Sequence, residues 1–412
     1  MKLFMAVTCV LLSLVLVSSA QESTIQGRLA VIGEDYNVRT MDATGDNVHA
    51  ITEDGGLRRA YQWPTWSVDG QLAYFCCDLR VATSPRTQAF ISSDGQQAGQ
   101  EAFRGIAEAI IYAAWSPGCG FRCRDLALLI NNVLDGSLRV DLVRQSASDY
   151  RAKTLAIGSP FYFSWRSDGS QLAFHRNNRL IDVFDIGQEG YVSGLSVRSS
   201  GTFQALSWSP VDDRVLIGIA ESNLTTLATL TREGRVPLVR DVRGFVSFLW
   251  SPDGNFVAYR AIGNRMLGEV VIVDSRSGQE VGRTRLPGTV AFFWSPDSRR
   301  LALALIGNAG TPSTGLSYDW TVQETLQLTW FVHDLENGTS ERLISFTPTY
   351  ETQYVIAYFD QFAPSHRLWS PDSRALVYGV ESDSGPEIHV LEVASRRVTP
   401  IARGRLAVWS FE

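Results

Sequence analysis

Trp250-Ser251-Pro252-Asp253-Gly254-Asn255-Phe256-Val257-Ala258-Tyr259 reads as the end of one strand, a tight turn and the start of a second strand. Proline presets φ in the turn, aspartate accepts backbone N–H groups, and glycine takes the positive-φ position. The same pattern recurs along the chain. Trp66-Ser67-Val68-Asp69-Gly70 leads into Leu72-Ala73-Tyr74, and Trp165-Arg166-Ser167-Asp168-Gly169 into Leu172-Ala173-Phe174. Trp294-Ser295-Pro296-Asp297-Ser298 and Trp369-Ser370-Pro371-Asp372-Ser373 carry serine for glycine. Trp115-Ser116-Pro117 and Trp208-Ser209-Pro210 have altered turns, and Trp409-Ser410 is cut short by the end at Glu412.

Successive tryptophans stand 49, 50, 43, 42, 44, 75 and 40 residues apart. A period of roughly 40–50 residues with short strands is the mark of a β-propeller. Each interval holds four strands, labelled A to D from the channel outward, with the tryptophan closing strand A and suited to packing between blades. The expected fold is all-β, a single propeller of eight four-stranded blades, with seven as the alternative count. At the N-terminus, Arg28-Leu29-Ala30-Val31-Ile32 matches a strand B that has no strand A before it. At the C-terminus, Arg405-Leu406-Ala407-Val408-Trp409-Ser410 is a strand A with nothing after it. Pairing the two closes the ring and removes an exposed sheet edge.

This Trp-Ser-Pro-Asp-Gly repeat followed by Leu-Ala-Tyr resembles that of the TolB-like propellers, also called PD40 or WD40-like repeats. The resemblance runs over nearly all of the chain beyond residue 20. It implies the propeller fold. It leaves function open, because the repeat serves binding proteins, peptidase accessory domains and some lyases.

Residues 1–20 read as a signal peptide: Lys2, an apolar run Leu3–Val17 too short for a comfortable membrane span, then Ser18-Ser19-Ala20. Cys9 follows Thr8 and does not fit a lipoprotein acceptor; cleavage is placed after Ala20, with an uncleaved anchor as the alternative reading. The expected mature domain is 21–412, exported to the periplasm or outside the cell, not membrane-spanning, and monomeric. Loss of Lys2 moves the formal charge from −6 to −7. That mildly acidic balance, with no basic cluster, argues against nucleic acid as a partner.

Four cysteines remain beyond the signal segment. Cys119 and Cys123 flank an altered A–B turn and are expected to form a disulfide stapling it. Cys76-Cys77 lies far along the previous strand B; a strained vicinal disulfide and free thiols are both open readings. The five histidines have no metal-ligand spacing, no Gly-x-Ser-x-Gly nucleophile motif or glycine-rich phosphate loop is present, and no cofactor is expected. Asn223-Leu224-Thr225 and Asn337-Gly338-Thr339 fit the N-glycosylation pattern.

The 75-residue interval departs from the rest by two insertions. One runs from about Gly307 to Glu324 between strands B and C and holds Tyr318-Asp319-Trp320. The other runs from about Pro348 to His366 between strand D and the next strand A and holds Tyr350, Tyr354, Tyr358, Asp360, Phe362 and His366. B–C and D–A connections share one face of the ring, so these nine residues are the candidate ligand site. Two readings stand for the aromatics: a recognition surface for a protein or carbohydrate, or a small satellite core pinning the loops. The functional expectation is a binding propeller without catalysis of its own. The alternatives are a channel-mouth hydrolase or lyase, for which His366, Asp360 and Asp319 are the available acid–base trio, and a structural module of an envelope complex.

Overall fold

In the computed structural model, which describes residues 25–79, 86–118, 124–158, 161–177, 180–192, 197–198, 205–263, 266–307 and 326–412, the repeat turn behaves as its residue types require. Gly254 takes φ 70°, and its N–H donates to the Ser251 carbonyl at 2.9 Å. The Ser251 hydroxyl donates to Asp253 at 2.6 Å and accepts the Phe256 N–H at 2.9 Å. The turn joins Phe245–Trp250 to Phe256–Gly263 with Trp250 opposite Val257. Met266–Asp274 and Glu280–Arg283 complete that antiparallel sheet.

Ser298 and Ser373 sit at the glycine position with φ 61°. A β-carbon there costs on the order of 1 kcal/mol, and the hydroxyl offsets it. Ser298 Oγ accepts the N–H of Asp253, and Ser373 Oγ accepts the N–H of Asp297, each at 3.0 Å. Each serine thus ties its own turn to the turn of the preceding repeat, which glycine cannot do.

The tryptophans link neighbouring repeats in the same way. The indole N–H of Trp115, Trp165, Trp250 and Trp369 donates at 3.0 Å to the carbonyl of Thr65, Ala114, Ser207 and Phe293 respectively. Each acceptor directly precedes the tryptophan of the repeat before. With the rings buried, one residue type supplies both the apolar contact and a directional bond between blades.

The ring closes as expected: Leu29 pairs with Trp409, Ala30 with Val408 and Ile32 with Leu406. The sheet count is seven, the alternative expectation, not eight. Six repeats form sheets of their own. The Trp369 and Trp409 repeats share one six-stranded sheet, because Val398–Trp409 is a single strand. Its first half pairs with Gly385–Glu392 and its second half with Arg28–Gly33. In three other repeats the passage from strand D to strand A is interrupted by a positive-φ residue, Ala107, Gly244 or Gly288; here none interrupts it.

The second insertion departs further from expectation. It forms a helix Tyr350–Ala357 (α1) and a short helix Phe359–Phe362 (α2). Thr349 caps α1 by accepting the Thr352 N–H at 3.3 Å, with Glu351 in the first turn. Val355, Phe359 and Phe362 fall at i, i+4 and i+7, one helical face. Strand A of the Trp369 repeat is correspondingly reduced to isolated bridges, Arg367 to Trp409 and Trp369 to Leu376. The signal segment, Cys119, Cys123 and most of the first insertion, with Tyr318, Asp319 and Trp320, lie outside the described residues.

Candidate functional site

The second insertion enters the ring on the B–C/D–A face, where Pro348 bridges Val380 near the end of strand Ala375–Ser382, and turns into the channel. Phe359 lies 4.7 Å from Phe292, with the guanidinium of Arg260 at 5.4 Å from its ring. Phe362 meets Tyr112 at 5.2 Å and Trp63 at 5.5 Å. Farther down, the Thr65 hydroxyl donates to the Ser365 carbonyl at 3.1 Å. The segment is a plug that fills a bore the inner strands cannot fill themselves.

Trp63 shows how strand A is adapted to receive it. The register of Arg59–Trp66 shifts between Gln62 and Thr65, and Trp63 stands at φ 49° just before Pro64, where that conformation is disfavoured. The bulge turns the Trp63 ring onto the plug, 4.9 Å from Tyr354 and 6.3 Å from His366.

The candidate residues of this segment divide into two groups. Phe362 and His366 are buried. The His366 Nδ1 shares a 2.8 Å hydrogen bond with the Ser365 hydroxyl, its Nε2 is buried without a partner, and burial lowers its pKa to about 3. This is a neutral packing imidazole, not a proton carrier near neutral pH. Tyr350, Tyr354 and Tyr358 form a ladder at i, i+4 spacing, with ring centroids 6.4 and 4.8 Å apart. Its end members are 68% and 41% exposed. Asp360 lies between the groups, in α2, and burial holds its carboxyl above the ordinary range, with Arg260 only partly opposing the shift.

The plug is off-centre. The helix backbones lie against the inner strands of the Trp250, Trp294 and Trp409 repeats, and on the opposite side a cavity of roughly 250 Å³ remains. Trp66, Trp115, Trp165 and Trp208 wall it, together with Tyr112, Tyr162, Phe163 and Phe411. It reaches the A–B turns at Ser116-Pro117 and Ser209-Pro210, on the face opposite the tyrosine ladder, and the plug contributes Asp360, Gln361 and Ser365. Burial raises the Tyr162 hydroxyl well above its usual range, with Asp360 adding to the shift. Sequence reasoning missed Trp63, Tyr162 and Gln361. Trp63 could have been found, since it is a tryptophan outside the repeat, three residues ahead of Trp66 in the same strand.

Cys76 and Cys77 are free thiols. Consecutive in Leu72–Asp78, they point to opposite faces of the sheet. Burial pushes Cys76 up to about 12, so it is not a nucleophile at neutral pH. Among the described residues no three His, Cys, Asp or Glu side chains converge as metal ligands, and no helix is long and apolar enough to cross a membrane.

No protein-family model matches the chain, and no curated protein sequence does. Solved structures match it widely. Dipeptidyl peptidase 4 of Porphyromonas gingivalis superposes with a TM-score of 0.56 at 9% identity, over 92% of this chain and 59% of that one. Oligogalacturonate lyase of Vibrio parahaemolyticus superposes with a TM-score of 0.52 at 12% identity, over 91% and 98%. TolB of Acinetobacter baumannii matches at 13% identity over 86% and 83%, with a TM-score of 0.41. Likeness at such identities is likeness of fold, and the repeat and the closed ring of seven sheets together give this chain the fold of a β-propeller.

Proposed function

We propose that the protein is an exported, monomeric binding propeller that recognises a protein or carbohydrate ligand on its B–C/D–A face, with Tyr350, Tyr354 and Tyr358 as the contact. The observation that supports this is the tyrosine ladder itself. The helix is anchored by buried Val355 and Ile356, yet its outer tyrosines are left exposed. Tyrosine offers a large, stiff, amphipathic surface at low entropic cost, which suits it to recognition. Tyr318, Asp319 and Trp320, on the neighbouring B–C insertion, extend the same surface in this reading. Export rests on the apolar run Leu3–Val17 and the small residues Ser18-Ser19-Ala20. The hydrolase or lyase reading loses its base, since His366 is buried and neutral.

The test is a Tyr350→Ala/Tyr358→Ala double variant. Wild-type protein is screened by affinity electrophoresis against a panel of soluble polysaccharides and by photo-crosslinking from position 358 in the native envelope. The double variant should melt like wild type and lose the ligand so identified. Retention of that ligand by the folded double variant overturns the assignment.

A further inference from the structure

The lining of the cavity under the plug includes none of the three ladder tyrosines, and it extends to the A–B turns on the other face of the ring. Its walls are aromatic faces, and among the described residues its lining includes one ionisable acid, Asp360, and no arginine, lysine or histidine. Among the described residues no ion pair engages Asp360, and the charge of Arg260 together with the backbone N–H groups of Asp360 and Gln361 only partly offsets the cost of its burial. A desolvated carboxylate facing rings whose π-faces carry negative potential complements a positive charge on an apolar body. An anion would be disfavoured by the negative π-faces of the rings and by the acid.

We propose that this cavity is a binding site for a small organic cation, an ammonium group with an apolar body, held against Asp360 and enclosed by the tryptophan and tyrosine walls. The roughly 250 Å³ volume admits a molecule of a few to about ten heavy atoms. Asp360 supplies the counter-charge and the walls supply cation–π contact. The plug therefore has two roles on two faces: it carries the ladder outward and closes the cavity from within.

Choline and its neutral carbon isostere 3,3-dimethylbutan-1-ol test this on the full-length protein, with tryptophan fluorescence and calorimetry as readouts. Choline is expected to bind at least about tenfold more tightly than the isostere and to perturb the emission of the walling tryptophans. Asp360→Asn should abolish that preference while the Tyr350→Ala/Tyr358→Ala variant keeps it, which separates this site from the proposed outer surface. Equal affinity for the two probes overturns the proposal. So does absence of choline binding tighter than about 10 mM, or an unchanged preference in a folded Asp360→Asn protein. The comparison of probes needs no variant, so it stands even if Asp360→Asn fails to fold.

Discussion

The Trp250 and Trp369 repeats begin from nearly the same words, and they build different things. Around Trp250, strand A runs the full length Phe245–Trp250 and pairs along Phe256–Gly263. Around Trp369, strand A shrinks to single bridges, and the residues ahead of it become a helical plug. The turn after each tryptophan is conserved in form because local chemistry specifies it. What precedes the tryptophan is free to change, because the neighbouring strands Ala375–Ser382 and Val398–Trp409 keep their pairing to Gly385–Glu392 without it. The lesson is that a ring of sheets tolerates the loss of one inner strand when something else fills the bore beside it.

That comparison can be broken most severely at the strand the last two repeats share. Deleting Arg405–Glu412 removes buried Leu406, Val408 and Trp409 together with the pairing to Arg28–Gly33. The summed losses, about 2–5 kcal/mol for each large side chain, rival the whole stability of a domain. The truncated chain should fail to fold cooperatively by circular dichroism. A wild-type melting temperature would mean the ring does not depend on this closure.

Next comes the plug. Phe362→Ala should cost about 3–5 kcal/mol in chemical denaturation, since the ring is buried among Trp63, Tyr112 and Tyr354. Tyr350→Ala, on the exposed side, should stay within about 0.5 kcal/mol. Similar costs for the two would erase the distinction between packing and surface faces.

Acid sharpens the same contrast. His366 has a folded pKa near 3 against an ordinary 6.5, so the unfolded chain takes up a proton first as pH falls. Stability is intact above about pH 6.5 and is lost below it, at about 1.4 kcal/mol per pH unit, until about pH 3. Asp360, with a raised pKa, contributes with opposite sign, so the informative quantity is wild type minus His366→Gln. Between pH 7 and pH 4 that difference should change by up to about 3 kcal/mol in denaturant titrations; no change would place the imidazole in contact with water.

The smallest effect concerns the turn both repeats share. Ser298→Ala keeps the positive φ and drops the bond to Asp253, and should cost about 1 kcal/mol. Ser298→Gly relieves the backbone as it loses the bond, and should lie within about 0.5 kcal/mol of wild type. If the alanine variant is as stable as the glycine one, the link between successive turns contributes nothing.

Much of the architecture was legible because it is locally encoded. The Trp-Ser-Pro-Asp-Gly pattern carries its own turn chemistry, so strands A and B, the period and the closing of the ring by Trp409 could be read from residues near one another. The sheet count was less legible: whether a D strand breaks before the next A strand depends on one residue's φ, as at Ala107 and Gly244, and the run Ile401–Gly404 gave no local sign that it would pass straight through. The site was partly legible. The insertion and its aromatics stood out by length and composition, and the helical spacing of Val355, Phe359 and Phe362 was present but was read as loop.

By itself, then, the sequence determined a closed β-propeller with tryptophans between its blades and one irregular interval near its end. Only the tertiary structure decided that this interval turns inward, that Phe362 and His366 become core while Tyr350 and Tyr358 stay outside, and that Asp360 ends beside a cavity walled by repeats some one hundred and fifty to three hundred residues earlier. The reason is physical. Turn and strand preferences act over a few residues, whereas burial depends on which surfaces the whole ring leaves unfilled, and the bore exists only once the ring has closed.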